Sequence, residues 1–119
     1  MPPAPLSMTV RAAGDGVRVL DIDGDITAAS EQILMETYNQ ATQPGVEAVI
    51  LNFERLAYMN SSGIGLLVTM LIRAQRNSQQ LSAYGLTDHY RQIFSLTRLD
   101  EAIHLYPDEE AALAASSSG

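Results

Sequence analysis

A chain of 119 residues is one domain's worth, and its composition of 46% hydrophobic and 18% charged residues fits a folded core rather than disorder. Fourteen acidic side chains against seven basic ones give a net charge of −7. That charge disfavours nucleic acid and anionic membrane surfaces, which are held through Lys and Arg, and suits a protein partner with a basic patch. The absence of cysteine removes disulfides, thiol catalysis and thiolate metal sites together, and fits a reducing cytoplasm.

In chain order, residues 1–7 read as a flexible Pro-rich leader without the basic and apolar regions of a signal peptide. Residues 8–13 and 17–22 are short strand candidates, joined by the hairpin signal Gly14-Asp15-Gly16 and ended by Asp23-Gly24-Asp25. Residues 28–42 have helical spacing, with Ile33, Leu34, Tyr38 and Ala41 on one face, Thr27 or Ser30 as cap and Pro44-Gly45 as terminator. Residues 48–53 (AVILNF) are nearly all apolar, the pattern of a parallel strand buried on both faces. Residues 56–60 read as a connecting turn, and Ser61-Ser62-Gly63 opens a second helix reaching about residue 78. Its apolar run, residues 64–72, is far short of the ~20 residues of a membrane span and reads as a buried helix.

Residues 81–86 form a further strand, Thr87 or Asp88 caps a third helix to about residue 96, and residues 103–106 give a last short strand. Pro107-Asp108-Glu109-Glu110 opens a final helix with proline and acids in its first turn, and residues 116–119 are a frayed tail. Strands alternating with helices after an opening hairpin predict an α/β fold: a mixed sheet of four to five strands with about four helices, over residues 8–115.

The informative stretch is residues 51–67, where a buried strand gives way to a helix that begins with two hydroxyls. From spacing alone, Asn60, Ser61 and Ser62 read first as caps for free helical N–H groups. The same geometry suits an anion. A phosphate on Ser61 would meet exposed N–H groups and the helix dipole, and would bring about −1.5 to −2 charges to any surface docked there. Gly63 and Gly65 cost helix propensity, so they permit close packing or leave a shallow spot for a partner. Leu66 and Met70 are expected either on an exposed apolar patch near Ser61 or beneath neighbouring helices.

No catalytic constellation accompanies this segment. The elbow G-x-S-x-G and the loop G-x-x-x-x-G-K-S/T are absent, and the two histidines, His89 and His104, are expected on outer faces. Asp21-Ile22-Asp23-Gly24-Asp25 lacks the spacing and closing Glu of a calcium loop. Neither an enzyme nor a metal site is predicted.

The run Y-M-N-S-S-G-I-G-L-L resembles the F/Y-M-D-S-S/T-G-L-G signature of STAS-domain anti-sigma-factor antagonists. V-L-D-I-D-G-D-I-T-A-A-S resembles that family's strand ending in G-E-L-D-x-x-T/S, and the stretch from Leu86 to Tyr106 resembles its later strand–helix portion. The resemblance implies the STAS fold, Ser61 as phosphoacceptor with Ser62 as its neighbour, and partner contacts around Asn60, Ser62, Gly63, Ile64, Leu66, Asp25 and Thr27. It implies a cytoplasmic module without cofactor that binds an anti-sigma factor/serine kinase of the histidine-kinase-like ATPase type and lets go on phosphorylation. ATP and magnesium would belong to the kinase, and a serine phosphatase would reset the switch. Two residues depart from the pattern: Asn60 and Thr27 stand where the family has aspartates. Their departure keeps a second expectation in play, a non-phosphorylated scaffold or accessory subunit of a larger assembly or transport complex.

Overall fold

Gly14 and Gly16 adopt positive φ (132° and 74°), and the turn they make folds β1 (Ser7–Ala12) antiparallel onto β2 (Val17–Ile26). In the computed structural model, which describes residues 5–117, β2 is followed by a single 3₁₀ turn (Ala28–Ser30) and α1 (Glu31–Ala41). The chain continues through β3 (Ala48–Met59), α2 (Ser61–Arg76), β4 (Gln80–Tyr84), α3 (Asp88–Leu96), a second 3₁₀ turn (Leu99–Glu101), β5 (His104–Tyr106) and α4 (Glu109–Ser117). The strands lie in the order β1-β2-β3-β4-β5, with β2 to β5 parallel. This is the mixed five-stranded sheet with four helices that the sequence predicts.

The alternation along β3 explains its apolar run. Val49, Leu51 and Phe53 face the larger core with Leu34 and Tyr38 of α1, Leu67 and Met70 of α2 and Phe94 of α3. Ala48 and Ile50 face the other way, into a smaller cluster with Val17, Val19 and Tyr84 that α4 covers through Ala112. A polar network holds α4 in place. Arg11 bonds Asp21 (Nε–Oδ2 2.6 Å) and also Glu109, while the Tyr84 hydroxyl donates to Glu109 at 2.6 Å and Asn52 donates to Asp21 at 2.8 Å. Hydrogen bonding from Arg11 holds both carboxyls below their ordinary range, and burial together with Glu109 pushes the Tyr84 phenol up.

Several expectations change. Asp23-Gly24-Asp25 does not end its strand, and residues 56–60 are not a turn: β2 and β3 keep pairing, through two register shifts, as far as Ile26 and Met59. Ile33 is 37% exposed; Met35 and Thr37 take its place on the buried side of α1. Met70 is wholly buried and belongs to no surface patch. β4 ends at Tyr84, and α2 at Arg76. Of the expected leader, residues 1–4 lie outside the described residues, and Ser7 begins β1; of the expected tail, residues 118–119 lie outside, and residue 116 falls within α4. Among the described residues no helix is long and apolar enough to cross a membrane.

Candidate switch site at the start of α2

The long central β3 carries the chain past the C-terminal end of β4 to that of β2, and Asn60 then turns it into α2. Asn60 is extended (φ −101°, ψ −175°) and is a full N-cap: its Oδ1 accepts from Gly63 N at 2.9 Å, and its carbonyl accepts from Ile64 N at 3.0 Å. Its own N–H donates to the Ile26 carbonyl at 3.4 Å. Gly63 packs on that same peptide. A Cβ at Gly63 would sit 2.9 Å from the Ile26 carbonyl carbon and nearer still to its oxygen, so only glycine lets the first turn of α2 rest on the end of β2.

The preceding residue is braced too. The Met59 N–H donates to the buried Tyr90 hydroxyl of α3 at 2.9 Å. Sequence reading missed Tyr90, because nothing local to α3 says which distant amide its phenol will meet.

On this rigid base Ser61 and Ser62 stand exposed, and neither hydroxyl bonds another described residue. No protein acceptor meets their amides among the described residues, and the first turn of α2 carries no acidic side chain. The positive end of a sixteen-residue helix therefore faces outward here with two N–H groups unspent.

Asp25 and Thr27 border this point, since Asp25 pairs with Tyr58 and Ile26 with Met59 across the β2–β3 ladder. Thr27 caps the 3₁₀ turn: its Oγ1 accepts from Ala29 N at 3.3 Å, and its N–H donates to Ser30 Oγ at 3.0 Å. Ser30 Oγ in turn donates to the Asp25 carbonyl at 3.0 Å. The Asp25 carboxylate meets no donor among the described residues.

Ile64 and Leu66 are half-buried against the larger core, whereas Gly63 is buried and acts by placing the turn. Gly65 differs: it is exposed, and a Cβ there would meet nothing within 4 Å. Along the same solvent side of α2 lies Ile72, 43% exposed, and Tyr58 stands 50% exposed one residue before Met59. A turn at residues 56–60 would give Tyr58 no defined face; the alternation of β3, which runs on to Met59, sets it on the side opposite that buried residue. His89 and His104 are exposed, and among the described residues no group of His, Asp and Glu side chains is placed to hold a metal ion.

The STAS domain family model matches residues 10–112 of this chain. The anti-sigma-B factor antagonist of Staphylococcus aureus is 27% identical over 84 residues, covering 71% of this chain and 78% of that protein. Among solved structures, an anti-sigma factor antagonist from Mycobacterium paratuberculosis superposes with a TM-score of 0.80 at 20% identity, covering 95% of each chain. The Bacillus cell fate determinant SpoIIAA in its phosphorylated form superposes at 0.69 with 21% identity, over 89% of this chain and 96% of that one.

Proposed function

We propose that this chain, which belongs to the STAS domain family, is an anti-sigma-factor antagonist whose hold on its partner is broken by phosphorylation of Ser61. The reading is carried by one observation: Ser61 is exposed at the first position of a long helix whose amides at Ser61 and Ser62 are unspent, on a turn fixed from beneath by Asn60, Gly63 and the Ile26 carbonyl. A phosphate there is compatible with the host fold, because it enters the positive field of the helix and strains nothing. The same group adds about −1.5 to −2 charges to a surface whose unmodified α2 turn is neutral, so a partner fitted to the neutral form is expelled.

The chain binds rather than catalyses on this reading, and acts in the cytoplasm. Its partner is an anti-sigma factor that is also a serine kinase of the histidine-kinase-like ATPase type, supplying ATP and magnesium; a serine phosphatase restores the neutral form. The footprint centres on Ser61 and takes in Ser62, Asn60, Ile64, Leu66, Asp25 and Thr27, with Gly63 setting their positions.

The competing reading, a constitutive STAS scaffold or accessory subunit, draws on Asn60 and Thr27, which are spent as caps and carry no charge. Incubating the chain with ATP and each histidine-kinase-like ATPase of the source organism separates the two. A single phosphate mapped to Ser61, lost in Ser61→Ala, with weaker partner binding by the modified form, supports the switch. Stable partner binding with no phosphate under any condition sinks it in favour of the scaffold.

A further inference from the structure

Beside the switch, between the approach to β1 and the exposed side of α1, lies a cleft of about 510 Å³. Pro5, Leu6, Ala29 and Ile33 give it an apolar lining, Thr27 joins it to Ile26, on which the start of α2 rests, and Asp25 and Glu36 are its charged lining residues. Ile33 is the residue that helical spacing assigns to the core and that stands exposed instead. Glu36 accepts a hydrogen bond from Gln32 Nε2 at 3.1 Å, which leaves its charge uncompensated, and the Asp25 carboxylate is likewise unpaired among the described residues.

We propose that this cleft is a second docking point for the protein that engages Ser61. A segment of that partner places an aliphatic side chain between Leu6 and Ile33 and a Lys or Arg side chain against Glu36 and Asp25. The inference rests on the reading of Ser61 as a partner-facing switch. Charge complementarity argues for the occupant: an apolar trough flanked by two unpaired carboxylates, on a chain of net charge −7, selects an apolar segment with an adjacent cation. A second copy of this chain would bring acid to acid, and nucleic acid or anionic lipid would be repelled. Continuity argues for the same partner at both points. Asp25 and Thr27 line the cleft, and the intervening Ile26 carbonyl is the group on which Asn60 and Gly63 seat α2. A partner reaching Ser61 therefore meets the cleft without crossing intervening structure.

The ATPase that phosphorylates Ser61 is the probe. Its affinity for the unphosphorylated chain is measured by calorimetry at low and high salt for wild type, Glu36→Gln, Glu36→Arg and Ile33→Asp. Glu36→Arg and Ile33→Asp are expected to weaken binding about tenfold or more, Glu36→Gln less, and wild type to lose affinity as salt rises. Thermal melts monitor folding, which substitutions at these exposed side chains leave intact. Unchanged affinity in Glu36→Arg and Ile33→Asp, with Ser61 still phosphorylated, overturns the inference and leaves the switch standing. Failure of wild type to bind any such ATPase overturns both. A wild-type dimer in sedimentation that Glu36→Arg dissociates assigns the cleft to self-association, and overturns the inference as well.

Discussion

Two glycines, two residues apart in one helix, should respond to the same substitution with opposite signs. In Gly65→Ala the new methyl meets nothing within 4 Å and sits on an exposed helical position. Replacing glycine by alanine there recovers about 1 kcal/mol of helix propensity with no steric offset. In Gly63→Ala the same gain is opposed by a methyl driven onto the Ile26 peptide, with the carbonyl carbon at 2.9 Å, the oxygen nearer still, and Ile26 Cγ2 at 3.0 Å. Backbone held in the last pair of the β2–β3 ladder cannot step aside as a side-chain end can, so α2 must lift. Overpacking of this kind costs about 1–3 kcal/mol, and a clash with ladder backbone belongs at the upper end of that range, which leaves a net loss of about 2 kcal/mol.

Urea unfolding followed by circular dichroism reads both, as a midpoint moving up for Gly65→Ala and down for Gly63→Ala at constant slope. Because lifting α2 also shifts Ser61, on the proposed reading Gly63→Ala should also slow phosphorylation at Ser61 by a kinase that acts there, even at temperatures where the variant is fully folded. Equal shifts in one direction, or a Gly63→Ala chain as stable as wild type, would refute the claim that Gly63 seats the helix on β2.

Asn60→Ala removes the bond to Gly63 N and is expected to cost about 1 kcal/mol in the same assay, while Asn60→Asp keeps the cap and gains a few tenths to about 1 kcal/mol from the helix dipole, more at low salt. Tyr90→Phe leaves the buried Met59 N–H without its acceptor; a loss of about 1–3 kcal/mol is expected by calorimetry, along with faster amide exchange at Met59. Met70→Ala should cost about 2–5 kcal/mol and Ile72→Ala no more than about 0.5 kcal/mol, since one side chain is wholly buried and the other 43% exposed. Asp21 and Glu109 have folded pKa values depressed by Arg11, so the unfolded chain binds more protons and stability falls as pH drops from about 5 through the unfolded carboxylate range toward the depressed values. Arg11→Met should remove about 1 kcal/mol or less at pH 7, because these side chains are partly solvated, and should flatten that acid limb of a stability-versus-pH curve; an unchanged limb would sink the assignment.

The elements legible in the sequence are those whose signals are local. The hairpin followed from Gly14 and Gly16, the parallel strand from the run at residues 48–53, and the start of α2 from hydroxyls next to an apolar stretch. What was misread depends on partners far along the chain. Glycine and aspartates in Asp23-Gly24-Asp25 carry every mark of a break, yet β3 supplies ladder partners for them, and pairing outweighs propensity. Ile33 fits the buried stripe of α1 by spacing, but α1 sits so that Met35 and Thr37 turn inward. The bracing phenol of Tyr90, the network joining Arg11 to Glu109 and the cleft beside Thr27 are likewise long-range, and no periodicity announces them.

The two departures from the family signature take on a physical meaning at the site. With aspartate at position 60, the unmodified start of α2 would already hold a carboxylate, and a phosphate on Ser61 would be added to existing negative charge. With Asn60 the cap is kept while the turn stays neutral. Thr27 likewise supplies a cap, to the 3₁₀ turn, through its hydroxyl rather than a carboxylate. Both residues keep local hydrogen bonds that build the site without placing a carboxylate there, so on the proposed reading a phosphate on Ser61 would act on a turn that is neutral beforehand. On the reading proposed for Ser61, the unmodified and modified faces then differ by the full charge of the phosphate at a point where the helix field had been unopposed. A partner that seats its own acidic or apolar groups over the neutral turn meets that whole change in one step. By the same reasoning Asn60→Asp should weaken such a partner's grip before any phosphate is added, and narrow the gap in affinity between the two forms. A widened gap, measured by calorimetry with the partner ATPase, would show that the neutral turn is not what the partner reads.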